Sequence, residues 1–126
     1  RPPGRRRPHL KGNFSMEITE RQQDDILIFS LSGRLDSNTS PDFEKRLSDV
    51  IRQGTTRCLV VDFGALDYIS SAGLRVILKA TKDIKRAEGR FVLCAMKDYV
   101  REVFEIAGFD TFLPIFTSLE DALQQF

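Results

Sequence analysis

Apolar positions along the chain fall into two kinds of segment, short continuous runs and stretches in which they recur every three or four residues. The runs read as strands and the spaced stretches as amphipathic helices. Met16 to Arg21 fits a first strand, and Ile26 to Ser32 sets Ile26, Ile28 and Ser30 against Leu27, Phe29 and Leu31 in a second. The acidic turn Asp24-Asp25 between them predicts an antiparallel hairpin. Ser40-Pro41-Asp42 then has the form of a helix start, with serine as N-cap, proline at the first helical position and an acid in the first turn. Phe43, Leu47, Val50 and Ile51 share one face of that helix, which Gly54 ends. Arg57 to Phe63, between Gly54 and Gly64, reads as a buried third strand, making Asp62 a strand-end residue and Asp67 a loop residue. Leu74, Ile77, Leu78, Thr81 and Ile84 form the next helical stripe, with Arg75, Lys79, Lys82 and Lys85 turned away from it. Phe91 to Met96 predicts a fourth strand. A helix follows with Val100, Val103, Phe104 and Ala107 inward, stopped by Gly108. Phe112 to Phe116 predicts a short last strand, and Ser118-Leu119-Glu120-Asp121 resembles a capping box opening a final helix through Leu119, Ala122, Leu123 and Phe126.

Strands alternating with helices imply parallel pairing with right-handed crossovers, and the opening hairpin makes the sheet mixed. The expected fold is α/β, a mixed sheet of four to five strands with about four helices mainly on one face.

The length of 126 residues, with 41% hydrophobic, suits one domain with a real core. Charge divides it unevenly. Arg1 to Ser15 carries five basic residues and no acid, together with three prolines and two glycines, which leaves 14 basic against 18 acidic residues beyond it. Residues 1–15 therefore read as a basic disordered tail or an expression leader, and 16–126 as the domain. No apolar run approaches the roughly 20 residues needed to cross a bilayer, so no membrane insertion is expected. Cys58 and Cys94 lie in apolar runs and read as small buried hydrophobes of a reducing, cytoplasmic setting.

Chemistry concentrates where the third strand hands over to the long helix, at Tyr68-Ile69-Ser70-Ser71-Ala72-Gly73-Leu74-Arg75. Small side chains there leave helix-start amides accessible, and those amides with the macrodipole favour an anion. A serine before a helix is commonly an N-cap, but one cap needs one serine. The other, Ser71, is a candidate phosphoacceptor. Asp36, just past the second strand, is either a turn residue or a neighbour of that site. Catalysis lacks a constellation: the single histidine, His9, is in the tail, and phosphate-loop, dinucleotide and zinc spacings are missing from the sequence. No enzyme activity and no cofactor are expected, with weak nucleotide binding at the junction left open.

Gly33-Arg34-Leu35-Asp36 and Ser70-Ser71-Ala72-Gly73-Leu74 resemble, in order and spacing, the two signature elements of the STAS domain, and most closely those of bacterial anti-anti-sigma factors, the anti-sigma factor antagonists. The resemblance spans Met16 to Phe126. Aligned on Gly73-Leu74, the family's phosphoserine falls on Ser71, its preceding aspartate on Ser70 and its following hydroxyl residue on Ala72. The resemblance implies a regulatory protein in a partner-switching circuit. Its unmodified form would bind an anti-sigma factor serine kinase and so regulate transcription without touching DNA. Phosphorylation of Ser71 would break that complex and a serine phosphatase would restore it. Asp36, Ser70, Ala72, Gly73, Leu74 and Arg75 would form the partner-binding and phosphosite environment. The alternative is an unphosphorylated STAS ligand-binding or scaffold module, as in sensor assemblies or transporter accessory subunits, lipid transport included.

Overall fold

The computed structural model describes residues 16–54 and 56–126, so the basic segment 1–15 lies outside the described residues. The elements run β1 (Met16–Gln23), β2 (Ile26–Leu35), α1 (Ser40–Gln53), β3 (Cys58–Ile69), α2 (Ser71–Arg86), β4 (Arg90–Cys94), α3 (Asp98–Ile106), a 3-10 turn (Phe109–Thr111), β5 (Ile115–Phe116) and α4 (Leu119–Leu123). Five strands form one sheet in the order β1-β2-β3-β4-β5. β1 and β2 pair antiparallel through a turn in which Asp24 takes φ 55°, and every later pair is parallel. Each parallel crossover steps the same way across the sheet, so a common right hand puts α1, α2 and α3 on one face. α4 comes after the last strand and covers the other.

Two cores follow from this layering. On the three-helix side Phe29, Phe43, Phe63, Ile77 and Phe104 are fully buried, and edge-to-face rings link Phe29 to Phe43 at 6.2 Å and Phe104 to Phe63 and Phe109 at 5.7 and 5.6 Å. Ile26, Ile28, Val60, Val92 and Cys94 form the smaller core under Ala122, Leu119 and Leu123. Ser118 caps α4 by accepting the Asp121 N–H at 3.0 Å, as its sequence implies. Cys94 is wholly buried and unpaired, and burial pushes its thiol up to about 12. Cys58 is half-buried and also free.

Several boundaries differ from the sequence expectation for identifiable reasons. β3 runs six residues beyond Phe63, which places Asp62, Gly64 and Asp67 inside a strand. Its register with β2 slips twice, Ser30 facing Asp62 while Ser32 faces Ala65, and Gly33 facing Leu66 while Arg34 faces Tyr68. Each slip inserts one residue, so the buried positions become Phe63, Leu66 and Ile69, a spacing of three that no period-two search detects. Asp62 serves the first bulge, its Oδ1 accepting the Gly64 N–H at 2.8 Å.

Ser40 is the first residue of α1 instead of its cap. The preceding turn already winds helically, with the Ser40 N–H donating to the Asp36 carbonyl at 2.8 Å, and Thr39 takes the N-cap position. Gly54 ends the helix as expected, at φ 72°. Along α2 the buried line is Gly73, Val76, Ile77, Ala80 and Ile84, with Leu74 and Leu78 half-buried beside it, because alanine and glycine permit the closest approach to the sheet. In α3, Val100 and Phe104 are buried but Ala107 is exposed at the C-cap. Of the expected last strand only Ile115–Phe116 is formed; Phe112 to Pro114 are turn and coil after the 3-10 turn, which buries Phe109, and Phe112 is exposed.

Two substitutions test this packing. Phe104→Ala is expected to cost about 3–5 kcal/mol in denaturant unfolding, since the ring joins two aromatic neighbours in a filled core. Gly73→Ala would raise stability by about 1 kcal/mol on an open helix face. Here a Cβ would lie 2.8 Å from Ile69 Cγ1, 2.9 Å from Leu35 Cγ and 3.0 Å from the Leu35 carbonyl oxygen. The sign therefore reverses, with an expected loss of about 1–3 kcal/mol, and a stabilised variant would contradict the close docking of α2.

Candidate functional site

The site forms where the carboxyl ends of β2 and β3 meet the N-terminus of α2. Leu35 and Ile69 are the last register partners of the two strands, and the Ser70 N–H donates to the Leu35 carbonyl at 2.9 Å. The residues following these partners, Asp36 and Ser70, therefore start side by side. The parallel register of these neighbouring strands brings the two signature elements together, which makes Asp36 both a turn residue and a neighbour of the junction.

The two serines divide the work. Ser70 is the N-cap, extended at φ −101° and ψ 177°, and its Oγ accepts the Gly73 N–H at 3.3 Å while its carbonyl accepts the Leu74 N–H at 3.0 Å. Its backbone carbonyl and its side-chain oxygen both accept bonds that open the helix. Ser71, the first helical residue, is exposed, and its hydroxyl has no hydrogen bond among the described residues. Ala72 is half-buried, Gly73 buried, Leu74 half-buried against the main core and Arg75 exposed one turn after Ser71. A 16-residue helix thus presents a free hydroxyl within its first turn, where its dipole is positive.

Asp36 is fixed from several sides. Its Oδ1 accepts the N–H groups of Asn38 and Thr39 at 3.0 and 3.1 Å, and its Oδ2 lies 3.7 Å from Arg34 Nε. Thr39 Oγ1 accepts the Asp36 N–H at 2.9 Å and donates to the Arg34 carbonyl at 2.8 Å, which closes the loop. Partial burial pushes the carboxyl up, but the bonds from Thr39 and Asn38 and the nearby guanidinium outweigh it and hold Asp36 below the usual carboxylate range. The aspartate is a turn residue and a fixed negative charge at once.

Three contributors were not foreseen. Arg34 lies over the Tyr68 ring at 4.2 Å, joining the two signature elements through a pair of register partners. Thr39 holds the Asp36 loop. Lys97, ahead of α3, pairs with Asp67 on β3, and that hydrogen bond, ahead of the carboxylate charge, pushes the ammonium pKa up. The spacing of Arg34 and Asp36 signals one side of a strand, but the Tyr68 partnership depends on the second bulge and carries no local sign. Beside the site, α1 and α2 leave a groove of about 530 Å³ lined by Ser40, Pro41 and Glu44 from α1 and by Ala72, Arg75 and Lys79 among the residues of α2.

Asp36→Asn is expected to keep the turn, because an amide oxygen accepts the same N–H bonds, whereas Asp36→Ala is expected to lose about 1–2 kcal/mol. The depressed native pKa adds stability that is complete above the unfolded value of about 4 and is lost as pH falls through the native one. Acid unfolding monitored by circular dichroism should therefore be shallower below about pH 4 in Asp36→Asn. Equal acid profiles for the two proteins would remove the electrostatic part of this account.

Comparison with known proteins agrees with this geometry. The chain is 42% identical over 111 residues, 88% of its own length and 95% of the relative's, to BtrV of Bordetella bronchiseptica, whose name describes a candidate anti-sigma factor antagonist. Its fold matches an anti-sigma factor antagonist from Mycobacterium paratuberculosis with TM-score 0.83 at 24% identity, covering 90% of this chain and 96% of that one. SpoIIAA of Bacillus in its phosphorylated form shares the fold with TM-score 0.70 at 20% identity over 86% and 98% of the two chains. The STAS domain family matches residues 17–122, and the chain belongs to that family, alongside the anti-sigma factor antagonists.

Proposed function

We propose that this chain is an anti-sigma factor antagonist switched by phosphorylation of Ser71. Unmodified, it binds an anti-sigma factor that is also a serine kinase and so releases a sigma factor in the cytoplasm. The kinase transfers the γ-phosphoryl group of ATP to Ser71 Oγ: the new O–P bond forms as the bond to ADP breaks, and the hydroxyl proton leaves to the kinase's base. A serine phosphatase reverses the step by hydrolysis, releasing inorganic phosphate. The chain is the substrate of these reactions and contributes no catalytic group. No helix among the described residues is long and apolar enough to cross a membrane.

One observation carries this reading: Ser70 alone supplies the cap, which leaves Ser71 exposed and uncommitted at the first turn of α2. A phosphate there gains about 1–2 kcal/mol from helix amides and dipole, so the free domain tolerates it. Inside an interface the same dianion loses its water and meets any facing acid, at a cost of several kcal/mol. Each 1.4 kcal/mol is about a tenfold loss of affinity, so about 3–4 kcal/mol releases the partner. Charge and fit then switch the complex with the fold unchanged.

Incubation with the cognate kinase and ATP should place phosphate on Ser71 by mass spectrometry. Ser71→Ala is expected to bind and take no phosphate, and Ser71→Asp to lose at least tenfold in affinity with its melting temperature nearly unchanged. Phosphate found on Ser70, or equal affinity of the modified and unmodified chains for the kinase, would overturn the assignment.

A further inference from the structure

We propose that Arg75 is an intramolecular clamp for a phosphate on Ser71, holding the modified state in a closed ion pair one helical turn long. The proposal deepens the reading of Ser71 as phosphoacceptor and rests on it. The two positions on α2 are i and i+4, the spacing at which helix side chains become neighbours. Side chains on a helix lean toward its N-terminus, so the long arm of Arg75 covers the turn that begins with Ser71. An acid placed N-terminal to a base at this spacing is also the better orientation for such a pair. Between them stand Ala72, Gly73 and Leu74, none of which offers a competing charge or donor side chain.

Arg75 is free to take the role. It is exposed, and among the described residues it makes no hydrogen bond or ion pair. The other cations at hand differ. Lys79 is engaged by Asp83 at 3.0 Å and lies 4.0 Å from Glu44, and Arg34 is committed to Tyr68 and Asp36. The groove that Arg75 lines independently favours an anion. Lys79 and Lys82 line it with Glu44 as the one acid, and Ser40, a residue only 4% exposed, contributes to its wall with a buried hydroxyl that has no hydrogen-bond partner among the described residues. A guanidinium fork matches phosphate oxygens two at a time, which a lysine in this position would not reproduce.

The clamp has a regulatory consequence. In the unmodified protein Arg75 projects at the edge of the groove and is available to a partner's acidic group. Once Ser71 is modified, the same guanidinium turns to the phosphate, so one event adds a dianion and withdraws a cation from the docking face.

Phosphoserine inserted at position 71 during translation of the full chain tests this without any kinase, so a failure of the clamp is distinct from a failure of Ser71 as a kinase target. The readout is the second ionisation of the phosphate, followed by phosphorus NMR titration. With Arg75 present it should fall below its ordinary value of about 6, and Arg75→Gln should raise it by about 0.5 unit or more. Arg75→Lys should recover part of the shift. Lys85→Gln is the control for general charge: fourteen residues from Ser71, about 21 Å along the helix axis, and outside the groove, it lies beyond the screening length of about 8 Å at physiological salt and should leave the titration unchanged. Equal titration of Arg75→Gln and the parent chain, or an equal shift from Lys85→Gln, would overturn the proposal.

Discussion

The contact on which the site depends is the seating of the first turn of α2 against the ends of β2 and β3. Gly73 makes it possible, because any side chain there would intrude on Leu35 and Ile69, both buried, and on the Leu35 carbonyl. The Ser70 N–H bond to that same carbonyl fixes the approach from the strand side. One missing Cβ and one hydrogen bond thus decide where the helix begins. They also decide which hydroxyl is consumed as its cap and which is left outside. Helix amides, an exposed nucleophilic oxygen and the Asp36 loop are brought together by packing, with no loop required to rearrange.

This arrangement separates structural roles from chemical ones within adjacent residues. Ser70 makes the bonds that hold the junction, and the Ser71 hydroxyl makes none among the described residues. Asp36 is held by the amides of Asn38 and Thr39, which fix its charge in place. Arg34 ties that loop to β3 by lying over Tyr68. On the proposed reading a charge added at Ser71 enters a fixed setting, and its energy would be spent at the surface where a partner docks. That is the property a reversible partner switch needs, since both states must remain folded.

Much of this was legible in the chain. The α/β order, the hairpin, α1 and α2, the serine cap of α4 and the buried free cysteine all follow from periodicity and punctuation. So does the proximity of the two signature elements, once parallel pairing is granted. What escaped was nonlocal. The two bulges in β3 turn its inward spacing from two to three, and Gly64 reads as a terminator when it is the bulge residue served by Asp62. Ser40 looked like a cap because serine before proline commonly is one, but Asp36 and Thr39 had already wound the preceding turn. The Arg34–Tyr68 contact depends on the same slipped register and could not be counted along either strand.

The departures from the family's second signature acquire a physical meaning from this geometry. Serine and aspartate are comparable N-caps, so Ser70 in place of the aspartate keeps the bond to the Gly73 amide. What it gives up is a negative charge beside the proposed acceptor. Ala72, in place of a hydroxyl residue, removes a second possible acceptor and lines the groove next to Arg75. Both changes act in one direction: the first turn of α2 carries no acidic side chain, and its nearest long side chain on the Ser71 face is a cation. A dianion on Ser71 meets less repulsion here than it would beside an aspartate. Under the proposed switch the free modified state is then spared that repulsion, and the energy that separates the two states would reside in the interface with the partner.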